Sequence, residues 1–147
     1  MTSAERQHQA PAPDSGSVAI PNDREAIERV QQEIVQAVER HDYPKAAVFA
    51  IRLSLHEAIA NAFGHGHKNL PPTVPVKVSY KVTEKKVTLA VQDQGPGFDP
   101  HRVPDPTLDE NLEVPSGRGL MLMRAYMTRV EYNANGTRLE LEYQKPA

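Results

Sequence analysis

Three short stretches carry residue types and spacings that could do chemistry together. In Asp93-Gln94-Gly95-Pro96-Gly97-Phe98 an acid follows the alternating apolar run 87–91, and the chain then turns through two glycines with a proline between them. This reads as a strand delivering a carboxylate to the mouth of a glycine loop. A carboxylate fixed there accepts a hydrogen bond from an amine such as the exocyclic NH2 of adenine, whereas guanine presents an acceptor at that place and is repelled. Glycines without a Cβ let the backbone take positive φ and approach a ligand closely. In the second stretch, Gly117-Arg118-Gly119 opens a short helical pattern. Backbone N–H groups at a helix start, with glycines permitting close approach, make a seat for phosphates. The third is the pair Glu57 and Asn61, four apart within a mostly apolar helical pattern. They lie on one helix face, where polar groups need partners.

The bulk properties narrow the partners. The chain of 147 residues fits one domain and can bury a core. With 17 basic and 19 acidic residues its net charge is -2, so there is no bulk electrostatic case for nucleic acid or an anionic membrane. Cysteine is absent, which removes disulfides, thiolate zinc sites and cysteine nucleophiles together and is compatible with a reducing cytoplasm. No apolar run is read as a membrane span or a signal peptide, so a soluble, cytoplasmic protein is expected.

The elements that must position the three stretches follow from periodicity. Residues 1–16 are polar, small or proline and are expected to form a disordered tail, leaving 17–147 as the domain. Residues 17–20 suit a short edge strand, and Asp23 is placed to cap the helix that follows. Ile27, Val30, Ile34 and Val38 recur every three or four residues, predicting a helix over 24–40. A second helix is expected over 44–63, apolar around most of its circumference and carrying Glu57 and Asn61. Val76, Val78, Tyr80 and Val82 alternate with polar residues, and after Glu84-Lys85 the run 87–91 supplies the partner strand that leads to Asp93. Residues 99–116 show no periodicity and read as a lid or binding segment. A short helix over 120–127 and two strands, 129–132 and 137–143, joined at Asn135-Gly136, complete the chain.

Each stretch alone is ordinary: a turn after a strand, a helix cap, a surface pair. Their joint order is not. Glu57-x-x-x-Asn61, Asp93-x-Gly95-x-Gly97 and Gly117-x-Gly119 resemble, in that sequence, the N box and the two glycine boxes of the GHKL ATP-binding superfamily. Within it, Glu57-Ala58-Ile59-Ala60-Asn61-Ala62-Phe63-Gly64-His65-Gly66 and Ser116-Gly117-Arg118-Gly119-Leu120 resemble the anti-sigma-factor serine kinases. The resemblance covers roughly residues 17–144.

It implies a Bergerat-type α/β two-layer sandwich: a mixed, mainly antiparallel sheet covered on one face by three helices. It implies ATP and Mg²⁺ as cofactors, with Asn61 offering its amide oxygen to the metal and Glu57 as the general base. Asp93 would accept from the adenine amine, with Thr137 assisting through a water. Gly95, Gly97 and Phe98 would pass beside the nucleotide, residues 99–116 would cover the phosphates, and Gly117, Arg118, Gly119 and Leu120 would hold them. The implied activity is phosphorylation of a serine on a STAS-domain anti-anti-sigma factor by a homodimeric protein that also binds a sigma factor.

Two other readings share the same pocket: an ATP-gated binding regulator without kinase activity, and a detached catalytic domain of a histidine kinase. Ser54-Leu55-His56-Glu57 superficially resembles a phosphoacceptor histidine motif, but Asn61 follows at once and no separate acceptor hairpin precedes it. His65 and His67 read as loop residues near the helix end rather than metal ligands.

Overall fold

The structure is a computed structural model that describes residues 14–100 and 117–146. In chain order these form β1 (Asp14–Ile20), α1 (Arg24–Arg40), α2 (Lys45–Asn61), β2 (Val76–Val82), β3 (Lys86–Gln92), α3 (Gly117–Tyr126), β4 (Arg129–Tyr132) and β5 (Arg138–Gln144). A π-helical turn, Ala62–Gly66, continues α2. Most of the expected tail and nearly all of the expected lid lie outside the described residues.

The strands form one sheet in the order β1-β2-β3-β5-β4. Every pairing is antiparallel, so the parallel component expected of a mixed sheet is absent among the described strands. The β4–β5 hairpin inserts its second strand beside β3, which keeps the alternation of direction through the crossover. β1 is the edge strand expected but begins at Asp14, three residues early. There the Asp14 carboxylate accepts from His41 Nε2 at 3.0 Å and from Arg40 Nε at 3.3 Å, which ties the strand start to the end of α1.

Alternation assigns the two faces of the sheet. Val76, Val78 and Val82 of β2, Val87, Leu89 and Val91 of β3, and Leu139 and Leu141 of β5 are buried on the face that meets the helices. On α1 the buried stripe is Val30, Ile34, Val35, Ala37 and Val38, and Asp23 caps the helix by accepting the Ala26 N–H at 3.0 Å. α2 is the central helix, with Ala47, Ile51, Leu55, Ala58 and Ile59 in the same core.

The stretch Lys45–Gly66 is long and apolar enough, by length and composition, to cross a membrane, contrary to the expectation that no run would be. Its apolar residues are the middle of the core, which explains the composition without a bilayer. α3 starts at Gly117 rather than at residue 120, so both glycines of Gly117-x-Gly119 lie inside its first turn.

Candidate nucleotide site

The site begins with the spacing on α2. Glu57 and Asn61, one turn apart, face the start of α3, where Gly119 is buried against them. A Cβ on Gly119 would stand 3.0 Å from Glu57 Oε2, 3.5 Å from Asn61 Nδ2 and 3.7 Å from Asn61 Oδ1. A side chain at this position would have to push the carboxylate or the amide aside by a few tenths of an ångström. The expected acid, amide and glycine-led helix start therefore meet in one place.

Asn61 is 7% exposed, and its Nδ2 makes no hydrogen bond within the protein. A buried amide left in this way points to a ligand or an ordered water. Among the described residues no group of three His, Cys, Asp or Glu could cage a metal. The local oxygen donors are the Asn61 amide and the Glu57 carboxylate. Such a sparse oxygen set fits Mg²⁺, which keeps several waters and shares nucleotide phosphates, and does not fit an all-protein metal cage.

Asn61 also lines a cleft with about 440 Å³ of empty space, its open mouth included. On one side stand Ala58, Asn61, His65 and Gly66, on the other Val91, Asp93, Thr137 and Leu139, with Gly97, Phe98 and Tyr132 closing it. Asp93 lies one residue beyond β3 and is fixed from several directions. Its N–H donates to Thr137 O at 2.9 Å, and its Oδ1 accepts the Gly95 N–H at 2.8 Å. Partial burial pushes the Asp93 carboxyl above its ordinary value, with the Gly95 N–H and nearby His67 opposing the rise.

The glycine loop holds its shape by backbone packing as much as by room for a ligand. A Cβ on Gly95 would run into the Gly66 carbonyl, and Gly95 is not part of the cleft wall. Gly97 has φ +80°, and a Cβ there would strike the Asn135 carbonyl. Phe98 donates its N–H to that same carbonyl at 2.9 Å and sets its ring edge-on to Tyr132, with centroids 4.8 Å apart.

At the start of α3 Leu120 is 2% exposed, and its side chain belongs to the core rather than to the cleft. Gly117 and Arg118 open the helix, and Arg118 is exposed and does not line the cleft.

Tyr132 was not anticipated. Its hydroxyl is pushed up to about 12, chiefly by burial and further by the Asp93 charge, while Asn61 and Arg124 oppose the rise. The Asn61 effect reflects proximity, since Asn61 Nδ2 completes no hydrogen bond. Nothing local in Arg-Val-Glu-Tyr marks this tyrosine, because its neighbours come from α2 and the glycine loop.

The chain belongs to the histidine kinase-like ATPase domain family, whose family model matches residues 20–143. The GHKL resemblance is thereby borne out, and the similar proteins include one named a serine/threonine-protein kinase and one named an anti-sigma factor. One is the serine/threonine-protein kinase BtrW of Bordetella bronchiseptica, 30% identical over 86 residues, which are 57% of this chain and 60% of that one. Another is the anti-sigma F factor of Clostridium beijerinckii, 26% identical over 97 residues, covering 63% of this chain and 67% of that protein. The match thus spans three-fifths to two-thirds of these relatives. The fold is also that of the crystal structure of the RsbU and RsbW domains of Rv1364c from Mycobacterium tuberculosis, with a TM-score of 0.61 and 16% identity over 91% of this chain and 34% of that one.

Proposed function

We propose that the protein is an ATP-dependent serine kinase of the anti-sigma type. It would act in the cytoplasm as a homodimer on a STAS-domain anti-anti-sigma factor and sequester a sigma factor when that antagonist is phosphorylated. The observation that carries the reading is the convergence of Glu57 Oε2, the Asn61 amide and Gly119, with Asn61 shared by the cleft that Asp93 lines.

In this reading adenine enters between Asp93 and Phe98, its amine donating to the Asp93 carboxylate. Thr137, whose carbonyl already fixes Asp93, stands at the same wall. The triphosphate then runs toward Asn61 and the first turn of α3, a glycine-led helix start of the kind that receives phosphates. When bound, Mg²⁺ supplies neutralisation of the phosphate oxygens, and Asn61 Oδ1 is the protein ligand that would hold it.

Glu57 takes the proton of the acceptor serine hydroxyl as its oxygen bonds to the γ-phosphorus. The bond from that phosphorus to the β,γ-bridging oxygen breaks, and ADP leaves with the electron pair. Phosphoserine, ADP and a protonated Glu57 result, and the proton passes to solvent.

The test is incubation with γ-labelled ATP, Mg²⁺ and a candidate STAS protein. Acid-stable, base-labile, serine-linked label on that protein is expected. A tight complex without label would replace the kinase by an ATP-gated binding module, and acid-labile label on a histidine would point to a histidine kinase.

A further inference from the structure

We infer that His67 is a positioning residue for purine selection, a role deepening the nucleotide reading above and resting on it. The π-helical turn after α2 is capped by His67, a residue 5% exposed whose N–H donates to Ala62 O at 2.9 Å. From there the ring reaches across to the glycine loop. The Gln94 N–H donates to His67 Nε2 at 2.8 Å.

Gln94 directly follows the acid that would read the base. Its side chain donates in turn to the Pro75 carbonyl at 2.8 Å, so the peptide after Asp93 is held on both sides. The ring of His67 is itself steadied by Phe63, edge-on with centroids 5.6 Å apart. Between the two segments Gly66 packs over the Asp93 carboxylate, where a Cβ would sit 2.5 Å from Oδ2. The imidazole thus locks the distance between the helix end and the strand end at the place where Asp93 must face a ligand.

The bond assigns a protonation state. Nε2 accepts only when unprotonated, so the single ring proton resides on Nδ1, which is buried without a partner. An imidazolium would have no lone pair for the Gln94 N–H, and that peptide would be released. The charged group facing His67 from the glycine loop is Asp93, and its own turn adds His65 and Lys68.

Adenine is distinguished from guanine by whether the Asp93 carboxylate meets a donor or an acceptor, so selection depends on where that carboxylate points. Loss of the His67 acceptor would blur the direction while leaving the carboxylate in place. His67→Phe keeps a ring of similar size against Phe63 without an acceptor; His67→Gln offers an amide oxygen near the Nε2 position.

The experiment is calorimetric titration of Mg-ATP and Mg-GTP into the wild-type protein and both variants at neutral pH, beside thermal melts. His67→Phe is expected to lose about tenfold in the ATP-to-GTP affinity ratio, and His67→Gln to retain most of it. A purely structural role would weaken both nucleotides together and leave their ratio unchanged. A folded His67→Phe with wild-type selectivity would overturn the inference. Should His67→Phe not fold, His67→Met, which also lacks the acceptor, takes its place, and wild-type selectivity in that variant would overturn the inference instead. If the wild type binds neither nucleotide, the nucleotide reading falls and takes this inference with it.

Discussion

Gly119 and Glu57 are held so close that a single methyl group on the glycine would sit 3.0 Å from the Glu57 carboxylate and 3.5 Å from the Asn61 amide nitrogen. This one approach joins the central helix, which carries the acid and amide, to the helix whose N-terminal turn would receive phosphates. Its functional weight can be measured by filling the gap.

Gly119→Ala should therefore push Glu57 or Asn61 by a few tenths of an ångström. Phosphoryl transfer is sensitive to such displacement, and a loss of about tenfold in kcat is expected. Alanine favours the helix by up to about 1 kcal/mol, so the melting temperature should not fall. Single-turnover transfer and a thermal melt would separate the two effects, and unchanged turnover would deny Glu57 and Asn61 their shared role.

Glu57→Gln preserves the shape against Gly119 but cannot take a proton. Transfer should drop by roughly 10²- to 10⁴-fold, with ATP affinity almost unchanged. A variant that lost ATP binding in proportion would show Glu57 acting as a ligand rather than as the base.

Asp93 gives a pH dependence with a definite sign. Burial raises its folded value above the usual 3.8, so the folded protein holds this proton more tightly than the unfolded chain. The associated stability is complete below the unfolded value and is lost as pH rises through the folded one. At neutral pH the ionised, partly desolvated carboxylate is a cost to the free protein, and Asp93→Asn should melt no lower than wild type. Its Oδ1 can still accept the Gly95 N–H. ATP affinity should move oppositely, falling as the pH drops through a midpoint above 3.8, since protonation removes the charge that strengthens the bond to the adenine amine. Affinity flat with pH through that range would exclude the charge-assisted contact.

Gly97→Ala tests the loop rather than the carboxylate. With φ at +80° and the Asn135 carbonyl in the way, a side chain must displace the backbone. Strain of about 1 to 2 kcal/mol corresponds to a fall of roughly 3 to 8 °C in Tm. ATP affinity should fall with it, because Gly97 and Phe98 form the cleft wall.

What was legible in the sequence was local. The i,i+4 spacing of Glu57 and Asn61 placed both on one face of α2, alternation through 87–91 aimed Asp93, and Asn135-Gly136 marked the last hairpin. What was hidden depends on segments far apart in the chain. No pattern announces that α2 widens into a π-helical turn instead of ending, or that Gly95 must be small for the sake of Gly66. Tyr132 looks like any strand tyrosine until Phe98 and Asn61 close around it. Leu120 stands beside the glycine pattern that opens α3, and the helix period turns its side chain into the core.

The most direct measurement of the central claim is calorimetric titration of Mg-ATP into the wild-type protein and Asp93→Asn. The cleft as described predicts saturable binding by the wild type, weakened in the variant by about 1.5 to 3 kcal/mol, roughly ten- to over a hundredfold, because an amide donor would then face the adenine amine. Indistinguishable isotherms, or no saturation by the wild type, would contradict it.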